Sequence, residues 1–319
     1  NFLEEEKNGV DFVWFKTPPY FGNGVGRVLN MLSYMNKAVK ITPKLNKEKP
    51  DIIIGSSVHL FAVYAAYKLS LKYKVPFIME VRDLWPKTLI DMGISKWHPF
   101  ILLLGWMEKF LYKKANVILT NLPYAYKYIS NFVSKDKISW ISNGVDLDRI
   151  NYEPLNKKDD FVISYTGAIG TANNLAILLD IAEKLKDYPN IKIQIVGDGP
   201  EKKNLKVLQK ERLLSNVTIK DSVAKSEVSD ILANSDILFF NLKDSPVFKY
   251  GISSNKLFDY MAAGRVVIFS SNAINNPIKD ADAGIYIEPD NIEALEKAIL
   301  EVYNMSYQQR EGIGQKIRN

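Results

Sequence analysis

The sequence lacks several residue types on which common kinds of protein site depend. Its 319 residues include no cysteine and only two histidines. The absence of cysteine excludes disulfide bonds and thiolate metal sites, and so few histidines argue against a histidine-based metal site. No run of 18 apolar residues occurs, so no segment is predicted to span a membrane. No signal-peptide pattern is visible, and we therefore expect a cytoplasmic protein.

The charge of the chain is distributed unevenly along its length. Residues 1–150 carry 21 Lys and Arg against 13 Asp and Glu, whereas residues 151–319 carry 21 against 23. A basic first half favours an anionic partner there, such as a membrane surface, a diphosphate lipid or a nucleic acid. The alternative is a generic basic surface that results from a lysine-rich composition.

The order of the predicted elements indicates an α/β protein. Apolar runs that predict buried strands alternate with helical patterns, and this alternation is typical of parallel sheets covered by helices on both faces. The length and an apolar content of 47% suit two domains, which we place at residues 1–146 and 147–319. The predicted strands are 51–55, 75–79, 116–120, 161–165, 191–196, 217–219, 237–240 and 266–269.

Residues 244–264 contain the strongest candidate for a binding site. A loop follows the apolar run 237–240 and enters a helix near Ser254, Asn255 and Lys256. Free N–H groups at a helix start, together with a lysine, suit a phosphate or diphosphate. Asp259 lies one turn further along, where its carboxylate could accept hydrogen bonds from ribose hydroxyls. The alternative is an ordinary capped helix with a solvated aspartate.

The run Asn-Lys-Leu-Phe-Asp-Tyr-Met-Ala-Ala-Gly at 255–264 resembles the nucleotide-sugar helix of glycosyltransferase family 4, which has the GT-B fold. The subgroup it is most similar to comprises bacterial O-antigen and capsule enzymes of the fucosamine-type amino-deoxysugar transferases. The resemblance extends over roughly residues 17–301, and residues 140–148 resemble the family's interdomain segment. Asp259 stands where the family has its ribose-binding glutamate. Gly251 replaces the glutamate that normally touches the donor sugar, which indicates a donor other than plain glucose or mannose.

The resemblance implies a GT-B protein with two facing Rossmann-like domains and the active site in the cleft between them. Family members often have an arginine and a lysine in the loop after the first strand of the second domain, where this chain has Ala168 and Asn173. Lys256 must then supply most of the side-chain neutralisation of the phosphates. The residues expected to bind the donor are Gly167, Gly170, Asn173, Asp198, Val223, Asp244, Tyr250, Ser254, Asn255, Lys256 and Asp259.

The acceptor side is expected in the first domain. Many family members place a His-Asp pair at the position of Arg82 and Asp83, and we assign these two residues, together with Lys256, as the catalytic candidates. An ion-pair network of Arg82 with Asp83 or Glu80 is the structural alternative. Further acceptor-side candidates are Asn23, Arg27, His59 and Glu80. Ser57 is predicted to cap the helix that starts near residue 60, so that His59 falls in its first turn and has a packing role or a substrate contact.

The expected activity is transfer of a sugar from a nucleoside diphosphate donor, with UDP expected, to a lipid-linked or glycan acceptor, with retention of configuration and without a metal or other cofactor. The pairs Asp146/Asp148 and Asp280/Asp282 have the spacing of a metal-binding motif, but both fall in predicted loops. The helix at 97–115 has an apolar stripe at Phe100, Leu103, Leu104, Met107, Phe110 and Leu111. Its other side is also apolar, so the helix is either fully packed or in contact with the inner face of the cell membrane.

Three other interpretations stay open. A GT-B nucleotide-sugar epimerase could use Glu80, Asp83 and His59 as acid and base. A truncated, non-catalytic protein could still bind nucleotide. A nucleic-acid-binding protein is disfavoured because no recognition motif accompanies the basic half. Both ends look cut, because no obvious first strand opens the chain and residues 314–319 read as the start of a helix.

Overall fold

The computed structural model describes residues 2–22, 24–45, 48–91, 93–150, 152–155 and 158–318. The chain forms two compact units. The first comprises residues 1–142 together with 249–251, and the second comprises residues 143–248 and 252–319. The chain therefore leaves the second unit, contributes three residues to the first unit and then returns to the second.

The first unit contains a parallel sheet of four strands in the order β3-β4-β5-β6. Helices follow the strands, as a parallel α/β sheet requires. Its elements are β1 Phe2–Lys7, β2 Val10–Phe15, α1 Val25–Ile41, β3 Ile53–Ser56, α2 Leu60–Tyr73, β4 Phe77–Val81, α3 Lys87–Asp91, α4 Pro99–Lys114, β5 Val117–Thr120, α5 Tyr126–Ile129 and β6 Ile138–Trp140.

The second unit contains a parallel sheet of six strands in the order β12-β11-β10-β7-β8-β9. Its elements are β7 Phe161–Thr166, α6 Ala176–Lys184, β8 Ile191–Val196, α7 Lys202–Glu211, β9 Val217–Lys220, α8 Lys225–Ala233, β10 Ile237–Asn241, α9 Asn255–Ala262, β11 Val266–Ser270, α10 Pro277–Asp280, β12 Ile285–Ile287, α11 Ile292–Asn304 and α12 Tyr307–Arg318.

This strand order fixes where a ligand can bind in the second unit. Counted within the unit, the order is 3-2-1-4-5-6, the doubly wound order of dinucleotide-binding sheets. Apolar clusters cover both faces of the sheet, which explains why β10 and β11 read as continuous apolar runs. The direction in which successive strands are added to the sheet reverses between β7 and β10, although all the strands run parallel. The crevice at their carboxyl ends is the position at which such folds bind ligands.

The structure confirms the α/β class and all eight predicted strands, and it corrects several details. The strand predicted at 75–79 is shifted to Phe77–Val81. The opening residues do form a strand, Phe2–Lys7, which pairs antiparallel with β2. The helix expected to begin near residue 314 already begins at Tyr307. It packs on α9 and β11 within the second unit.

The apolar stripe predicted on α4 is rotated relative to the observed buried face. Leu104, Met107 and Leu111 are buried as expected, but Leu103 is 45% exposed. Ile101 and Tyr112 are buried instead. The helix is apolar on most of its circumference, so sequence periodicity alone does not identify the face that packs. No helix among the described residues is both long and apolar enough to cross a bilayer.

Candidate functional site

The start of α9 carries Lys256, whose side chain lies at the carboxyl ends of β7 and β10. Its Nζ donates a hydrogen bond of 2.8 Å to the Tyr165 hydroxyl and lies 3.3 Å from Asn173 Oδ1. The ammonium group also lies 4.1 Å from the centre of the Tyr165 ring and 5.2 Å from that of Phe240. Tyr165 lies at the end of the apolar run of β7. From the sequence alone, a tyrosine that contacts Lys256 cannot be distinguished here from one that only packs in the core.

Lys256 has no anionic partner in the described part of the chain. All its nearest polar groups are neutral, and no ion pair joins it to a carboxylate among the described residues. Burial lowers the pKa of Lys256 to about 7, because the charged form has lost water without gaining a counterion. Such a lysine is suited to receive an anion, which would supply the missing charge.

The loop after β7 packs directly against Lys256. Gly167 has φ +135°, and a side chain there would press on the Lys256 methylenes at 3.3 Å. Asn173 turns back to donate from Nδ2 to the Ala168 carbonyl at 3.0 Å, while its own N–H donates to Gly170 O. The structure thus brings Gly167, Gly170, Asn173 and Lys256 together. Asn241, which the sequence analysis did not single out, donates to the Asn173 carbonyl at 2.8 Å and holds this loop at the end of β10.

A pocket of about 300 Å³ opens beside this loop. Three loops of the second unit form its walls, namely those after β7, β8 and β9. Two predicted donor-binding residues, Asp198 and Val223, lie in it. Its lining residues are Thr166, Gly167, Ala168, Val196, Gly197, Asp198, Ser222, Val223 and Val228.

Asp259 lies one turn beyond Lys256 on α9 and is partly buried. Burial raises the pKa of its carboxyl group, and the positive charge of Lys225 on α8 opposes that shift. Asp259 therefore lies near α8, the helix that also contributes Val228 to the pocket.

The loop that enters α9 is held by two asparagines that the sequence analysis did not select. Asn143 donates from Nδ2 to the Ser253 carbonyl at 2.6 Å and from its backbone N–H to Ser253 Oγ at 2.9 Å. Asn275 accepts from the Ile252 N–H and donates to the Ile252 carbonyl. Ser254 is the N-cap residue, with no capping hydrogen bond from its side chain, and Asn255 is exposed at the first helical position.

The backbone explains one departure from the resemblance. Gly251 has φ +92°, in the left-handed region that L side chains rarely adopt. A glutamate would be strained in this loop conformation, which glycine adopts freely. The neighbouring Tyr250 lies in the first unit, where its carbonyl accepts the Tyr124 N–H at 3.1 Å. Asp244 is exposed in the loop after β10.

In the first unit, the structure brings Arg27 and His59 close together. The positive charge of Arg27 contributes to a His59 pKa of about 4, although burial is the larger cause. His59, and not Ser57, is the N-cap of α2, because its Nδ1 accepts the Ala62 N–H at 3.1 Å. Ser57 is buried and its Oγ accepts the Arg82 N–H at 2.9 Å, so it connects β3 to the loop after β4.

The two charged residues that follow β4, Arg82 and Asp83, are solvated. Arg82 and Asp83 are exposed, and no ion pair joins Arg82 to Asp83 or Glu80 among the described residues. Partial loss of water nevertheless raises the pKa of Asp83, and Arg82 opposes the shift. Asn23 lies outside the described residues.

The two aspartate pairs have other contacts. Asp146 Oδ1 accepts the Asp148 N–H at 3.2 Å and caps a short turn, and Asp282 pairs with Lys316 at 2.5 Å. Among the described residues, no group of three or more His, Asp and Glu side chains could hold a metal ion.

Comparison with known sequences gives a family match for each half of the chain. The model of Glycosyltransferase Family 4 matches residues 2–149, and the model described as Glycosyl transferases group 1 matches residues 160–305. A curated relative from Methanocaldococcus jannaschii, described as an uncharacterized glycosyltransferase, is 27% identical over 57% of this chain. The match spans 48% of that relative, about half its length.

Comparison with solved structures gives the fold. The Anabaena protein HepE in complex with UDP and glucose has a TM-score of 0.68 at 15% identity, covering 95% of this chain and 79% of its own. Sucrose-phosphate synthase from Thermosynechococcus elongatus has a TM-score of 0.75 at 15% identity, covering 99% and 79%. The first part of the chain therefore matches the family 4 glycosyltransferases, the second part matches the group 1 glycosyltransferases, and the two Rossmann-like halves have the GT-B fold.

Proposed function

We propose that this chain is a glycosyltransferase that moves a sugar from a nucleoside diphosphate, with UDP expected, to a lipid-linked or glycan acceptor. We further propose that it retains the anomeric configuration, requires no metal and acts in the synthesis of a bacterial surface polysaccharide. The observation that carries this proposal is the partly buried Lys256, which has no counterion among the described residues and lies beside a glycine loop at the reversal point of the six-stranded sheet.

The donor diphosphate would lie between the start of α9 and the loop at 167–173. Lys256 Nζ and the positive end of the helix dipole would stabilise the negative charge that develops on the departing diphosphate. This stabilisation is what transfer of the sugar requires, since the bond from the sugar to the diphosphate breaks while the bond to the acceptor oxygen forms. The site then needs no metal to neutralise the leaving group.

The nucleoside would occupy the pocket of about 300 Å³ beside that loop. Its base would lie against residues 222 and 223, and Asp259 would accept hydrogen bonds from the ribose hydroxyls. UDP is the nucleotide we expect, and the related Anabaena structure holds UDP and glucose. Asp244 and Tyr250 are assigned to the donor sugar. Arg27, His59, Glu80, Arg82 and Asp83 are assigned to the acceptor side.

The exposed face of α4 suits contact with an anionic membrane surface, where a lipid-linked acceptor would be met. Leu102, Leu103 and Trp106 are 53%, 45% and 60% exposed, and Trp97 just before the helix is 73% exposed. Lys109 and Lys113 continue the same face one and two turns further along. A helix that presents aromatic and aliphatic side chains beside lysines is typical of interfacial binding.

Calorimetric titration with UDP, GDP and UDP-linked amino sugars tests the donor site. We expect micromolar binding of UDP that is lost in Lys256→Ala and weakened in Asp259→Ala. Lys186→Ala, which removes an exposed lysine from the same unit, is the matched control and should bind as the wild type does. A folded wild-type chain that binds none of these nucleotides would refute the proposal.

Product analysis separates transfer from the two rival activities. Incubation with a UDP-sugar and a lipid-linked acceptor should give a glycosylated acceptor and UDP. Release of a free epimeric UDP-sugar without any acceptor would identify an epimerase instead. Nucleotide binding without turnover would identify a non-catalytic nucleotide-binding protein.

A further inference from the structure

Lys202 is a buried charged residue to which the proposed reaction assigns no role. It is the first residue of α7 and only 8% exposed, an unusual position for a lysine. Its Nζ donates to the Gly197 carbonyl at 2.7 Å and to Asp221 Oδ1 at 2.6 Å. These two acceptors belong to different loops, one after β8 and one after β9. The side chain therefore bridges two walls of the pocket of about 300 Å³.

The first two walls of that pocket are already joined by backbone contacts. Ile169 donates its N–H to the Asp198 carbonyl at 2.8 Å, and Glu201 donates to the Ile169 carbonyl at 3.1 Å. A side chain on Gly197 would overlap the Gly167 carbonyl, so the two loops are in direct contact. The loops after β7 and β8 thus form one rigid wall.

The third wall, residues 221–224, has fewer connections to the others. The Gly197 N–H reaches the Lys220 carbonyl at 3.4 Å, a long hydrogen bond at the end of the strand. Ala224 is held from the other side by Glu227 of α8. Between these points, Asp221 pairs with Lys202 at 2.6 Å, and its longer contact with Lys206 Nζ, at 3.8 Å, is a second link to α7.

We infer that Lys202 is a positioning residue for recognition of the nucleotide base: by joining Gly197 to Asp221, it fixes the loop at 221–224 against the opposite wall of the pocket. This inference rests on the proposed function, because it assigns the pocket to the base of the donor. The diphosphate lies against Lys256 and not against Lys202, so the two lysines have separable effects. Lys202 should influence affinity for the nucleoside and discrimination among bases, and it should not influence affinity for diphosphate alone.

The test compares UDP, GDP and inorganic pyrophosphate by calorimetry in Lys202→Met and Asp221→Ala. We expect each variant to weaken UDP binding by about fivefold to twentyfold, to reduce the preference for UDP over GDP, and to leave pyrophosphate binding unchanged. Asp221 is largely exposed, so its variant removes the bridge without leaving a cavity in the interior. Lys203→Met removes a neighbouring lysine of α7 outside the bridge and should match the wild type. The double variant Lys202→Met/Asp221→Ala should lose less affinity than the sum of the two single variants, since both remove the Lys202–Asp221 ion pair.

Hydrogen exchange measured by mass spectrometry gives a readout that does not require any ligand. Peptides covering residues 221–224 should exchange faster in both single variants, while peptides covering α9 should be unchanged. Unchanged exchange at 221–224, an equal loss of pyrophosphate binding, or the same loss in Lys203→Met would overturn the inference and leave the proposed function intact. A wild-type chain that binds pyrophosphate but no nucleotide, with faster exchange in the variants, would overturn the nucleotide assignment and the base-recognition role with it.

Discussion

Lys256 should couple donor binding to proton uptake. Burial lowers its pKa to about 7 in the free chain, well below the ordinary value for lysine, so part of the population lacks the charge near neutral pH. A bound diphosphate supplies a counterion and raises that pKa. The complex therefore holds a proton that much of the free protein lacks.

The size of the effect follows from the protonated fraction. Above a pKa of about 7, each pH unit lowers the charged fraction of free Lys256 roughly tenfold, so the dissociation constant should rise by up to tenfold per unit. Below about pH 6 the lysine is already charged, and affinity should level off. A UDP-sugar is the better ligand for this experiment, because both of its phosphates are esterified and neither titrates in this range.

Calorimetry at about pH 8, in two buffers with different ionisation enthalpies, measures the proton uptake directly. We expect close to one proton per UDP-sugar bound by the wild type. Lys256→Arg should bind without proton uptake, since arginine stays charged, and Lys256→Met should bind weakly at every pH. An affinity that is constant from about pH 6.5 to 8.5, with no proton exchanged, would refute this account of Lys256.

Three further predictions concern stability and the membrane contact. Burial raises the pKa of Glu108 to about 7, so the folded state keeps a proton that the unfolded chain loses. The contribution of Glu108 to the free energy of unfolding should therefore fall between about pH 4.5 and 7, by up to about 1.4 kcal/mol per unit. Urea titrations should show it as a difference in pH slope between the wild type and Glu108→Gln, a comparison in which the opposite contribution of His59 cancels. Gly197→Ala should lower the melting temperature sharply because its Cβ overlaps the Gly167 carbonyl, whereas Gly312→Ala, with open space in α12, should stabilise by about 0.5–1 kcal/mol. Lys109→Glu/Lys113→Glu should reduce co-sedimentation with phosphatidylglycerol vesicles severalfold, while Lys203→Glu/Lys210→Glu in the second unit should not; equal losses in both variants would contradict a specific α4 contact.

The helix at the candidate site could be predicted from the sequence because its features are local. A strand, a loop, a helix start and a lysine follow one another within a few residues, and the strand alternation fixes which edge of the sheet they reach. The contacts that hold this helix are not local. Asn143 reaches Ser253 across 110 positions, and Tyr165 meets Lys256 across 91. A single sequence contains no residue pattern that indicates either of these two contacts.

Two of the corrected details have a similar physical origin. Ser57 and His59 both precede α2 and both have side chains that can accept a backbone N–H, so local chemistry alone does not choose between them. The choice depends on Arg82 in the loop after β4, because its backbone N–H donates to the Ser57 hydroxyl and so occupies it. On α4, apolar residues surround the helix, and only the neighbouring elements determine which of them are buried.

The short passage of residues 249–251 through the first unit limits how this protein can be engineered. Tyr250 contacts the Tyr128 ring there, with centroids 5.9 Å apart, and Tyr128 in turn donates to the buried Glu108. A chimaera joined at a single point near residue 143 would pair this segment with a foreign first domain. Exchange of the acceptor half between homologues would therefore require residues 249–251 to be transplanted together with residues 1–142.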